Sequence, residues 1–199
     1  VREARTRAEK PAEVVDPFLG KVLPSVVFTD GSAIHPADRW MRRAAWAVAW
    51  YEPGVGWQEF ACATEGAQTV TRSELAAALW AARKAGDDLE VVSDSAYVVD
   101  GCKKLRAGHG RHLFEGPDGD LWRRMHEAGV PRLTWVPSHK SPEQAQARGV
   151  PYEHWFGNGK ADKAAKARAL AREPPPRLMR AHWRKLFLLS RCLAVIAKV

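Results

Sequence analysis

Apolar and polar positions along the 199-residue chain change period several times, and each change predicts an element. Val26-Val27-Phe28 is a short buried run that meets a turn signal at Thr29-Asp30-Gly31-Ser32. From Ala44 to Tyr51, Trp46, Val48 and Trp50 alternate with alanines at the strand period of two. Glu52-Pro53-Gly54 turns the chain, and Trp57 to Thr64 returns as a third strand. The period then becomes helical from Arg72 to Lys84, with Leu75, Leu79 and Ala82 on one face and Gly86 as the stop. Leu89 to Val92 is a β-rich run after a crossover helix, which predicts a parallel strand. Helices follow over Ser95 to Ala107 and over Asp118 to Ala128, the latter capped by Asp118 or Asp120. Arg132 to Val136 is a fifth strand, and Lys160 to Arg172 an alanine-rich helix closed by Pro174-Pro175-Pro176.

The predicted order is βββαβααβα, an α/β fold with a mixed five-stranded sheet flanked by helices. Residues 1–24 read as a charged leader or linker, 25–172 as the domain, and 173–199 as a stiff proline spacer with a basic tail. In that tail Trp183, Leu186, Phe187 and Leu193 fall along one side of a candidate amphipathic helix. A start at Val is read as the mark of a piece cut from a longer chain.

The net charge of +8 changes little, because of where it lies. Residues 177–199 hold Arg177, Arg180, Arg184, Lys185, Arg191 and Lys198 with no acid, so Val26 to Pro176 carries only about one excess positive charge. Cys62, Cys102 and Cys192 are far apart and in no CxxC pair, which predicts reduced thiols in an intracellular protein and argues against both a disulfide framework and a cysteine zinc site. No signal peptide is seen, and Leu186 to Val199 is too short for a membrane span and interrupted by Arg191, so no membrane partner is expected.

Four acids stand where strands and helices meet: Asp30 past the first strand, Glu74 in the first turn of the first helix, Asp94 past the fourth strand, and Asp162 opening the last helix. Singly, each has a plain structural reading. Asp30 suits a turn, Glu74 a capping box with Thr71, and Asp94 and Asp162 helix N-termini. Together they point elsewhere. Adjacent central strands bring Asp30 and Asp94 to one edge, and helices crossing that edge deliver Glu74 and Asp162. Such a cluster repels itself unless cations neutralise it, and hard oxygen ligands suit Mg²⁺ or Mn²⁺.

The motifs Thr-Asp-Gly-Ser at 29–32, Arg-x-Glu-Leu-x-Ala at 72–77, Ser-Asp-Ser-x-Tyr-Val at 93–98, Asp-Leu-Trp at 120–122 and Asn-x-x-Ala-Asp at 158–162 resemble those of the ribonuclease H family. The type is that of bacterial enzymes and reverse-transcriptase-associated domains, and the resemblance spans about Val26 to Leu170. It implies a ribonuclease H-like fold and an endonuclease that hydrolyses the RNA strand of RNA–DNA hybrids. It also implies that Asp30, Glu74, Asp94 and Asp162 hold two Mg²⁺ ions, with Mn²⁺ able to substitute, and that the products carry 5′-phosphate and 3′-hydroxyl ends. His139 occupies the place of the family's mobile-loop histidine, although the loop from His139 to Asn158, with Tyr152, Trp155 and Phe156, is longer than expected. Ser32, Thr71, Arg72, Ser95 and Asn158 are the implied substrate contacts. Lys103 and Lys104 begin a basic stretch, with Arg106, His109, Arg111 and His112, read as meeting DNA-strand phosphates. The resemblance further suggests one domain of a reverse-transcribing element's polyprotein with flanking domains. A proofreading exonuclease or a transposase would space its acids differently; a non-catalytic hybrid-binding module stays as the rival reading.

Overall fold

The computed structural model describes residues 23–84 and 88–196, so most of the predicted leader and the helix stop at Gly86 lie outside the described residues. The strands are β1 (Val26–Ile34), β2 (Arg43–Glu52), β3 (Gly56–Ala63), β4 (Glu90–Ser93) and β5 (Arg132–Trp135). The helices are α1 (Val70–Ala82), α2 (Ala96–Arg106), α3 (Gly119–Ala128), α4 (Pro142–Gln146), α5 (Tyr152–Leu170) and α6 (Pro176–Ile196), with a 3₁₀ turn at Arg111–Glu115. The sheet order is β3-β2-β1-β4-β5. β2 pairs antiparallel with β1 and β3, whereas β4 pairs parallel with β1 and β5. The mixed five-stranded α/β sheet is as expected from the sequence.

Alternation along the strands sorts the two layers. Val27, Trp46, Val48, Trp50 and Val91 face a core shared with Leu75, Leu79, Val98, Trp122 and Met125 of α1, α2 and α3. Phe28, Ala49 and Val92 face the other way, against Ala161 of α5. The alanines of β2 therefore serve α5: small residues on both sides let the helix lie close to the sheet. At Gly157 the approach is closest, since a Cβ there would sit 2.4 Å from the Phe28 ring.

Three boundaries differ from the sequence reading. First, β1 does not stop at Thr29-Asp30-Gly31-Ser32 but runs on to Ile34, pairing Asp30 with Ala47 and Ser32 with Ala45. Gly31 is there because α1 lies on it, not because the chain turns: a Cβ would meet the Glu74 backbone N at 2.4 Å. Second, α1 begins at Val70 with Thr69 as its cap, accepting from the Arg72 N–H, so the Thr71–Glu74 capping box does not form. Third, the stretch expected to be a long loop from His139 to Asn158 contains α4 and the first turns of α5. Asp162 thus lies inside a 19-residue helix rather than opening it. Asp118 holds the N-cap position of α3 but makes no side-chain cap bond.

Past the prolines, the tail is helical, as its amphipathic pattern predicts. It meets the β1–β2 loop where His182 Nε2 and Asp38 Oδ2 lie 2.6 Å apart, while Leu186, Leu189, Leu193 and Ile196 stay exposed. Among the described residues, no helix is long and apolar enough to cross a membrane.

Candidate active site

Parallel pairing of Thr29 with Ser93 sets the next residues of β1 and its neighbour, Asp30 and Asp94, side by side at the centre of the sheet. Asp30 has the parity of Phe28 and so faces α5, which supplies Asp162. Gly31 faces the opposite way and lets α1 descend until Glu74 reaches the same point. One carboxylate oxygen from each of Asp30, Glu74 and Asp94 lies within 4.8 Å of the others. Asp162 joins from the other wall, near enough for its charge to act on Asp30. All four line one cleft, together with Ser32, Val70, Ser138, His139 and Lys166.

The electrostatics follow from this crowding. Burial pushes Asp30 up from 3.8 to about 9, and the charges of Asp94 and Asp162 add to the rise. Glu74 is raised to about 7, first by burial and further by Asp94, against the pull of a Ser95 hydroxyl donating at 2.5 Å. Burial also raises Asp94, opposed by a hydrogen bond from Asn158 and by the nearby His139. Lys166 offsets only Asp162, at 2.8 Å and one helical turn away. Partly buried carboxylates held together with so little positive charge fit a hard divalent cation bound by oxygen.

The remaining predicted residues divide in two. Ser32 is half-buried on the cleft floor, and His139, exposed, sits at its rim in left-handed backbone (φ 51°). Lys103 and Lys104 are exposed on the last turn of α2. Ser95 and Asn158 turn toward the acids instead of facing outward, Ser95 donating to Glu74 and Asn158 standing beside Asp94. Thr71 is exposed, with its hydroxyl 3.4 Å from that of Thr69.

Arg72 departs most from its predicted role. It is buried and committed to the protein, donating to the Glu65 carbonyl at 2.7 Å, to Asp118 at 3.2 Å and to both oxygens of Asp120 at 2.6 and 2.8 Å. Asp118 also accepts from Tyr97, whose hydroxyl accepts from the Trp122 indole at 2.8 Å. This network ties the first turns of α1, α2 and α3 together, and Glu74 and Asp94 stand beside it. Sequence reading missed it because Arg72, Tyr97, Asp120 and Trp122 were visible only as separate motif letters. Arg72→Met leaves Asp118 buried without its cation, with only the Tyr97 hydroxyl as partner, so chemical denaturation is expected to show a loss of about 3 kcal/mol. A loss under 1 kcal/mol would show that the network does not brace the helices.

This strand order with helices on both faces is an RNase H-like fold. The RNase H family model matches residues 24–170, and the chain belongs to that family. Among solved structures, the solution structure of the PFV RNase H domain is similar at a TM-score of 0.56 and 21% identity, covering 73% of this chain and 94% of that one. The foamy viral protease-reverse transcriptase in complex with dsDNA is similar at a TM-score of 0.51 and 19% identity, covering 74% and 98%. A foamy viral protease-reverse transcriptase in complex with RNA/DNA hybrid gives 0.51 at 18% identity, covering 85% of this chain and 24% of that one. At such identities the likeness is one of fold. A search of curated protein sequences finds no match.

Proposed function

We propose that this chain is an endoribonuclease that hydrolyses the RNA strand of RNA–DNA hybrids, with Asp30, Glu74, Asp94 and Asp162 holding two Mg²⁺ ions that Mn²⁺ can replace. The observation that carries the reading is the convergence of these four carboxylates in one cleft, three of them within 4.8 Å. When bound, the ions would supply an activated water and charge stabilisation for displacement at phosphorus. The chain's own residues prepare that site. Ser95 and Asn158 fix the orientation of Glu74 and Asp94, and Lys166 holds Asp162. His139, at the rim, is the group placed to hand a proton to the departing 3′-oxygen, leaving 5′-phosphate and 3′-hydroxyl ends. Ser32 on the floor and Lys103 and Lys104 on α2 are proposed contacts to the hybrid, the lysines to phosphates.

In this reading residues 25–172 are the catalytic domain, and 173–199 is an appendage of a larger, reverse-transcribing polyprotein whose flanking domains adjoin it. The support is the family match and the structural likeness to foamy viral protease-reverse transcriptase. The test incubates a labelled RNA–DNA hybrid with the protein in Mg²⁺, in EDTA, and with an Asp94→Asn variant. Cutting of the RNA strand alone, abolished by EDTA and by the substitution, is the expected result. Tight binding without cutting in either Mg²⁺ or Mn²⁺ would leave a hybrid-binding module.

A further inference from the structure

The aromatic residues between His139 and Asn158 do not belong to the carboxylate cleft, yet they begin at its edge. Trp155 lines a pocket that also touches Asp94, His139, Asn158 and Asp162, its indole N–H donating to the Lys140 carbonyl at 2.8 Å. From there a chain of rings runs outward. Trp155 lies 5.5 Å from Tyr152 between ring centroids, Tyr152 stacks on Phe156 at 5.9 Å, Phe156 meets Trp57 at 5.3 Å, and Trp57 meets Tyr51 at 5.9 Å. Trp57 anchors this chain by its contact with Phe28, which is buried in the second core. The outer rings are not buried: Tyr51 is 52% exposed and Tyr152 65% exposed.

Two exposed tyrosines backed by packed rings form a rigid shelf, and an exposed aromatic surface of this kind marks a contact site. Its rim is mixed in charge. Lys160 lies over the Phe156 ring and pairs with Glu59 at 3.6 Å, and Glu153 is exposed beside Tyr152. Stacking, rather than a dense phosphate-binding charge, is thus what the shelf offers. Stacking on aromatic rings suits unpaired bases, because every base has a π-face and none needs a particular hydrogen-bond pattern.

We infer that the shelf of Tyr51, Trp57, Tyr152 and Phe156 binds unpaired nucleotides that leave the cleft, a single-stranded extension of the nucleic acid the active site acts on. The choice of occupant rests on the nucleic-acid reading of the cleft, with which the shelf is continuous through Trp155. Both outer tyrosines are exposed, so replacing them leaves the packed rings beneath in place.

The test is fluorescence anisotropy of a labelled ten-nucleotide oligothymidylate, in EDTA and at one fixed salt concentration, against the wild-type chain and a Tyr51→Ala/Tyr152→Ala double variant. Loss of two stacking faces is expected to weaken binding roughly tenfold or more, with unchanged far-ultraviolet circular dichroism. Equal affinity of the two proteins, or no binding by the wild type, would overturn the inference. Cutting of a blunt hybrid is scored separately: its absence removes the hydrolysis reading, whereas the oligothymidylate result is read without any cutting.

Discussion

Gly31→Ala is expected to cost about 3 kcal/mol or more of stability, above the usual range for an overfilled core, and to lower hybrid cutting at least about a hundredfold in whatever fraction still folds. The added Cβ would stand 2.4 Å from the Glu74 backbone N, 2.7 Å from the Ser73 Cβ and 2.8 Å from the Ser73 backbone carbon. Backbone atoms cannot rotate away as a side-chain tip can, so α1 must lift from β1 or β1 must bend. Glu74 travels with α1, and a displacement near 1 Å is enough to spoil a preorganised site. The effect should therefore reach activity even under conditions where stability is ample. Gly159→Ala is the control. It lies in α5 with open space around its would-be Cβ, and should gain up to about 1 kcal/mol as a helix-interior glycine replaced by alanine. Thermal melts and single-turnover cutting of the two variants, side by side, test the idea. A Gly31→Ala protein as stable and active as the parent would mean that α1 does not need this contact to place Glu74.

The same glycine shows why the sequence told less than the structure. Asp-Gly reads locally as turn chemistry, and nothing within the motif says that a helix some forty residues later lies on that glycine. The strand pattern itself, the helix periods, the parallel crossover and the pairing of Asp30 with Asp94 on neighbouring strands were legible because they are set by local periodicity and by simple topology. The start of α5 was not legible. Gly157 and Gly159 look like helix breakers, and Pro151 offers no side-chain cap, yet tertiary contact of Gly157 with Phe28 outweighs the propensity cost. Arg72 was misjudged for a related reason. The resemblance implies a substrate contact at Arg72, and only the fold reveals that Asp118 and Asp120 pair with it.

Asp30→Asn is expected to separate stability from activity in opposite directions. Asp30 titrates near 9 in the folded chain against an ordinary value of 3.8, because it is buried beside Asp94 and Asp162. Below 3.8 the carboxyl is protonated in both states and costs nothing. As pH rises from 3.8 toward 9 the unfolded chain ionises while the folded chain keeps its proton, so stability falls by up to about 1.4 kcal/mol per pH unit. Asparagine cannot ionise and is close in shape, so the variant lacks that slope. In EDTA the variant should match the wild type near pH 4 and exceed it by a few kcal/mol at pH 8. Each kcal/mol is worth roughly 2–4 °C in a chain of this size. Adding Mg²⁺ should narrow that gap: a cation that binds only the folded state stabilises the wild type by RT ln(1 + [Mg²⁺]/Kd), about 2.7 kcal/mol at a hundredfold excess over Kd, and the variant less. Cutting should be absent throughout in the variant. Melts of both proteins at pH 4 and 8, with EDTA and with Mg²⁺, decide the matter. If Asp30→Asn were less stable than the wild type at pH 8 in EDTA, the carboxylate cluster would not be strained without its cation. The acids would then be held for the fold, as turn and helix-end residues, and the case for a metal cage would lose its main physical support.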